Sequence, residues 1–202
     1  MKEYRLYPDT FALSIQPVDR TIQQYENIRE VCRSIFLKKS QDYGTSWRIL
    51  RPSSLTDQLL IKASRIRSIE ERQAQKVDEM PDVEYAGLIN YSIMALIQLE
   101  LGSHEEELDW NTLVRQYDHH FDAAFELMKR KNHDYGEIWR QMRITSFTDL
   151  ILSKILRIRK IEQNGGITTV SEGIASNYYD IINYGVFALI VWSETKPWSF
   201  KY

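Results

Sequence analysis

The chain has 202 residues, 43% of them hydrophobic, and its 26 basic against 28 acidic side chains leave a net charge of −2. That balance gives no strong signal for nucleic acid or anionic lipid, and the length and apolar content suffice for one sizeable core, which excludes a disordered chain. The single Cys32 excludes an internal disulfide, and the N-terminus has neither a basic segment followed by an apolar run nor a small-residue cleavage site. The expected compartment is therefore the cytoplasm.

Residues 1–20 read as an N-terminal tail, followed by a three-helix repeat over 21–101. The first helix, 21–43, carries Ile22, Tyr25, Ile28, Cys32, Ile35, Phe36, Lys39 and Tyr43 on one stripe, and Gly44 suits a left-handed stop. The second opens at Ser54-Leu-Thr-Asp57, which matches a capping box with Asp57 at the third helical position, and runs to about residue 72. The third, 83–101, is apolar on nearly every face and is expected at the centre. An acidic linker, 102–111, leads to a second repeat over 112–195. Its helices are expected at 112–135, from Ser146-Phe-Thr-Asp149 to 162, and at 176–195. The most apolar stretch, 181–192, is interrupted by Asn183 and Tyr184 and falls well short of the roughly 20 residues of a membrane span, so no membrane is expected. A tail, 196–202, follows. Tyr4, Tyr7, Trp198 and Tyr202 in the two tails are expected to lie on the helical core.

The two repeats are copies. Residues 37–70 read LKKSQDYGTSWRILRPSSLTDQLLIKASRIRSIE and residues 129–162 read KRKNHDYGEIWRQMRITSFTDLILSKILRIRKIE, with 17 of 34 positions identical. With the shift raised from 92 to 93, Ile89-Asn90-Tyr91 aligns with Ile182-Asn183-Tyr184. The expected fold is all-α: two tandem three-helix repeats packed as a pseudo-twofold helical bundle, with the Tyr91 and Tyr184 helices central because each unit alone leaves an apolar helix uncovered.

Polar residues shared by both copies are the functional candidates. In the second helix Leu59, Ala63, Ile66 and Ile69 define the inner face, Lys62 and Arg67 straddle it, and Glu70 falls near its middle; Lys154, Arg159 and Glu162 repeat the arrangement. Either these long side chains snorkel to water while the Glu pairs with one of them, or they converge on phosphate. In the second case Lys62, Arg65 and Arg67 act with Arg48 and Arg51 from the preceding loop, and Lys154, Arg157 and Arg159 with Arg140, because Arg offers phosphate a bidentate fork and Lys a point charge. Lys39 and Lys131 either complement a helix end or face a ligand. Asn90 and Asn183 would each cost about 1–3 kcal/mol if buried without partners, so each needs a Tyr hydroxyl from the first helix or a ligand. Asp180 lies one turn before Asn183, whereas the matching position of the first copy is Gly87, with Glu84 a turn earlier at an end expected to be more exposed. A carboxylate in such a helix requires a cationic partner, a metal or a raised pKa. His119 and His120 are adjacent and point to different sides of their helix, with no partner at zinc spacing in the sequence. No phosphate-loop, dinucleotide or nucleophile-elbow motif is present.

The K-x-x-D-Y-G-x-x-W-R segment, the K-x-x-R-I-x-x-I helix and the L-I-N-Y or I-I-N-Y helix together resemble a duplicated form of a bacterial and phage nucleotide-modification-associated domain. More distantly, the three-helix unit with its Asp-x-x-Asn turn is similar to the all-α nucleoside triphosphate pyrophosphatases of MazG and dimeric dUTPase type. Those enzymes hold Mg²⁺ between acidic helices, where this chain has Lys62-Ala-Ser-Arg65 and Lys154-Ile-Leu-Arg157. The resemblance implies a protein that binds a nucleotide or another phosphorylated ligand, with Mg²⁺-dependent pyrophosphohydrolysis as the reaction it would carry. Asp180 and Asn183 would then be catalytic, and Asp134, Glu172 and Asp180 would hold Mg²⁺. The alternative is a non-catalytic helical binding or assembly module whose repeated polar residues maintain pairing between units. A homodimer stays open under both readings.

Overall fold

Each unit begins with a long helix that stops at a glycine. In the computed structural model, which describes residues 17–71, 80–170 and 172–197, α1 spans Pro17–Tyr43 and α4 spans Trp110–Tyr135. Gly44 and Gly136 follow them at φ +64° and +67°, and each amide donates to the carbonyl four residues back, Ser40 and Asn132. A Cβ is strained in that backbone conformation, so the residue type itself sets the stop. Short 3₁₀ turns, Ser46–Ile49 and Ile138–Gln141, lead into α2 (Pro52–Glu71) and α5 (Ile144–Gln163). The apolar helices α3 (Pro81–Leu101) and α6 (Ile174–Ser193) complete the units. The described residues contain no strand, and none of their helices is long and apolar enough to cross a membrane. Tyr4, Tyr7, Trp198 and Tyr202 lie outside the described residues.

The helices form three layers. α3 and α6 pack against each other in the middle, α2 and α5 pair on one side, and α1 and α4 pair on the other. Every packed pair has its counterpart when the units are exchanged: α2 on α3 matches α5 on α6, and α1 on α6 matches α4 on α3. The central position of α3 and α6 follows from their composition, since nearly every residue from Tyr85 to Ile97 and from Tyr178 to Ile190 is buried or partly buried. Gly185 permits the close approach of the pair, because a Cβ there would lie 2.9 Å from Ile89 Cγ1.

The capping-box expectation is corrected. α2 starts at Pro52, where a proline fits the first helical position, and α5 starts at Ile144 after an extended Arg143 that provides no side-chain cap. The Ser-x-Thr-Asp segment therefore lies within the first turns of each helix. Its threonines, Thr56 and Thr148, are buried, and its aspartates are exposed and face the other unit. Asp149 pairs with Arg67 at 2.9 Å and Asp57 with Arg159 at 3.7 Å.

Candidate functional site

The shared polar residues fall into two sets, one consumed by pairing the units and one bordering a cavity. The first set is reciprocal. Asn90 donates to the Cys32 carbonyl at 3.1 Å and accepts from the Tyr117 hydroxyl at 2.8 Å; Asn183 donates to the Ala124 carbonyl at 3.0 Å and accepts from Tyr25 at 2.7 Å. Each Asn thus binds the first helix of its own unit through its amide and that of the other unit through its oxygen. Thr56 donates to Glu162 at 2.8 Å and shares a 2.7 Å bond with the Tyr178 hydroxyl, while Thr148 makes the same contacts with Glu70 and Tyr85. Burial raises the carboxyl pKa of both Glu70 and Glu162 above the usual range, and the threonine hydrogen bonds oppose that shift. Glu70 and Glu162 therefore bind the opposite unit instead of the Lys and Arg of their own helix.

The arginines expected to gather on phosphate are dispersed. Arg48 is buried, with its guanidinium on the Gln98 side-chain oxygen, and burial lowers its pKa. Arg140 is held by Glu137 at 2.7 Å, Glu194 at 3.0 Å, Gln24 at 2.7 Å and Thr21. Arg67 and Arg159 take the aspartates of the opposite unit, and Arg157 is exposed. Arg65 pairs with Glu84 at 3.0 Å, as does Lys62 at 3.2 Å. Glu84, expected at an exposed end, is buried because these two cations cover it.

The cations that do converge are the lysines, and here the two units differ. In the second unit Lys131 from α4 and Lys154 from α5 hold the two oxygens of buried Asp180, each at 2.6 Å. The required cationic partner of Asp180 is therefore double. In the first unit Gly87 replaces Asp180, and the stem of Lys62 crosses α3 at that point: a Cβ on Gly87 would lie 2.9 Å from Lys62 Cδ and Cε. Lys39, with no ion pair among the described residues, and Lys62 then border a cavity of about 110 Å³ that no carboxylate of the described residues lines. Its walls include Tyr43, Trp47, Tyr91 and Asn90, and the buried Trp47 indole N–H has no hydrogen-bond partner among the described residues. The second unit has a cleft at the corresponding place, lined by Leu127, Lys131, Ser176, Tyr179 and Asp180, but Trp139 does not line it; the first unit's cavity extends to Trp47, and there α3 carries Ala86, Gly87 and Met94 where α6 carries Tyr179, Asp180 and Phe187. In the second unit Phe187 stacks on Trp139 with ring centres 4.2 Å apart. Sequence comparison of the copies exposed the Gly87–Asp180 difference, but the contrast between Met94 and Phe187 signals a cavity only once the packing is known.

Of the residues expected to hold Mg²⁺, Glu172 and Asp180 line one cleft and Asp134 lies in another. Both oxygens of Asp180 are neutralised by ammonium groups. Asp134 lies in a separate surface depression beside Lys129, Arg130 and His133, while Glu172 is exposed and lines the same cleft as Asp180. Among the described residues these three do not group as metal ligands. Mg²⁺ retains waters and takes one or two carboxylates that are free to bind it, a donor set that this arrangement lacks. Asn183 is buried, and its amide and its oxygen each hold one protein partner.

A cluster missed in the sequence is Glu100, His119 and His120, whose ligating atoms lie within 4.8 Å of one another. Glu100 comes from the end of α3, so no spacing along α4 could have pointed to it. Burial depresses the His120 pKa to about 4, leaving a neutral imidazole at pH 7.

No curated protein and no solved structure matches the chain. A family model, nucleotide modification associated domain 1, matches twice, at residues 39–99 and 131–191. The matches begin at Lys39 and Lys131 and include both lysine pairs, both buried asparagines and the two central helices almost to their ends. They cover more than half of the sequence, and the chain thus belongs to the nucleotide modification associated domain 1 family, in a duplicated form.

Proposed function

We propose that the first unit binds the phosphate of a nucleotide or another phosphorylated ligand in the cavity between α1 and α3, with Lys39 and Lys62 as the cations that receive it. The observation that carries this reading is the contrast between units. A carboxylate occupies the lysine pair in one, and in the other the equivalent lysines border an open space. Asp180 is in this sense a built-in oxyanion; in the first unit Glu84 pairs with Lys62 and is shared with Arg65, so an incoming phosphate would supply the charge that Lys39 lacks. Phosphate oxygens accept charge-assisted hydrogen bonds from ammonium groups, each contributing about 1.5–3 kcal/mol. The Trp47 indole N–H is a further donor, and Tyr43 and Tyr91 offer aromatic surface of the kind on which bases stack. The cavity accommodates a phosphate group, so the remainder of a nucleotide would lie at its mouth beside Tyr43, which is exposed.

This is a binding function. The donor set does not support Mg²⁺-dependent pyrophosphohydrolysis through Asp134, Glu172 and Asp180, for the reasons of charge and placement given above. The second reading, a helical assembly module, is favoured by the asparagine, threonine and glutamate networks, which are satisfied entirely within the protein. It leaves Lys39 and the cavity unexplained. Titration calorimetry with orthophosphate and a panel of nucleoside mono- and triphosphates separates the two. Lys39→Met keeps the aliphatic stem, and under the binding reading it weakens phosphate affinity at least about tenfold without altering the melting temperature. No heat of binding from the wild-type protein with any of these ligands would leave the assembly module as the function.

A further inference from the structure

The position where α3 ends against α4 carries a different chemistry from the lysine cavity. We propose that Glu100, His119 and His120 bind one divalent ion of the Zn²⁺, Co²⁺ or Ni²⁺ class. The ligating atoms of the three side chains already lie within 4.8 Å of one another, and Glu100 Oε2 is 3.3 Å from His120 Nε2. That distance is about the edge of a tetrahedron with metal bonds of roughly 2.0–2.1 Å. His120 is almost fully buried, and among the described residues its Nε2 has no aligned hydrogen-bond partner despite the nearby carboxylate. Its other nitrogen is engaged: Nδ1 lies 3.0 Å from the Tyr179 hydroxyl. If the Nδ1 proton is donated to Tyr179, the Nε2 lone pair faces the Glu100 carboxylate, two acceptors that a cation between them would satisfy.

The carboxylate is oriented as well. Gln116 Nε2 donates to Glu100 Oε1 at 3.2 Å, leaving Oε2 toward the histidines. Outer partners of this kind, one for the imidazole and one for the carboxylate, fix the direction and tautomer of metal ligands. Two imidazoles and one carboxylate suit borderline ions better than Mg²⁺ or Ca²⁺. His119 and Glu100 are exposed, so a fourth position opens to water. The site occurs once per chain, because the second copy's equivalents in the first unit are Asn27, Ile28 and Ala86 for His119, His120 and Tyr179, and Ser193 stands for Glu100. It would tie α3 of one unit to α4 of the other.

The test uses tag-free full-length protein stripped with chelator and titrated with Co²⁺ and Zn²⁺. The expected result is one equivalent of Co²⁺ with visible absorption of a four- or five-coordinate ion, displaced by Zn²⁺ and not by Mg²⁺, and a higher melting temperature with Zn²⁺. Glu100→Gln and His119→Ala, both at exposed positions and so chosen to preserve the fold, are each expected to weaken Zn²⁺ binding about tenfold or more. Tyr179→Phe is expected to weaken it to a smaller extent by freeing the His120 ring. Absence of Co²⁺ and Zn²⁺ binding to the wild type, or binding unchanged in both Glu100→Gln and His119→Ala, would overturn the site.

Discussion

Asn90 and Asn183 illustrate how single residues hold the two units together. Each lies in an otherwise apolar helix, and each is satisfied by a carbonyl of its own unit and a tyrosine hydroxyl of the other. Removing the hydroxyl leaves a buried amide oxygen without a donor, so Tyr25→Phe and Tyr117→Phe should each lower the unfolding free energy by about 1–3 kcal/mol. Urea denaturation of both single variants and the double variant checks this, and similar losses that add in the double variant are expected from the symmetry of the contacts. A loss confined to one of the two would show that the networks are not equivalent. The need for partners at these asparagines was legible in the sequence, because an amide in an apolar helix must be paired. The partner's unit was not, since that depends on how α1 and α4 cross the central pair. Glu84 shows the opposite failure: its position at the start of α3 suggested exposure, and Lys62 and Arg65 reaching over from α2 bury it.

At the scale of elements, helix periodicity and the long apolar runs of α3 and α6 identified six helices and the central pair, because a helix apolar on every face has only one place to go. The beginnings of α2 and α5 were misjudged by about two residues, since the Ser-x-Thr-Asp pattern that resembles a cap serves to bury a threonine and to present an aspartate across the interface. The two central helices meet at Gly185, where a Cβ would come within 2.9 Å of Ile89 Cγ1 and 3.7 Å of the Tyr85 carbonyl oxygen. Gly185→Val should therefore force α3 and α6 apart and destabilise the protein by about 1–3 kcal/mol, read as a lower urea midpoint. An unchanged midpoint would mean that the central pair tolerates a wider spacing than this packing implies.

For the whole molecule, both units contribute to every hydrogen-bonded network of the interface, so a chain ending at Gly102 would expose α3 and leave Asn90, Tyr85 and Glu70 without Tyr117 and Thr148. Such a chain is expected to lack a cooperative unfolding transition as a monomer, by calorimetry and sedimentation. A soluble, cooperatively unfolding monomer would show the units to be independent. The duplication was visible in the sequence, and so was the inequality at Gly87 and Asp180. The cavity's extension to Trp47 was not, because which of the smaller side chains of α3 line it depends on how α1 and α2 pack there.

That cavity is the centre of the functional reading, and one substitution tests it most directly. Gly87→Asp places in the first unit the carboxylate that the second unit already has, between Lys39 and Lys62. The three atoms nearest to the Cβ it introduces all belong to the flexible side chain of Lys62, which can give way. Orthophosphate and nucleotide titrations of wild type and Gly87→Asp, each accompanied by a melting curve, should show one binding site in the wild type. In the variant binding should be lost at an equal or higher melting temperature, because the internal carboxylate occupies the lysine pair. Wild-type affinity in a folded Gly87→Asp protein would contradict the assignment of phosphate to this cavity.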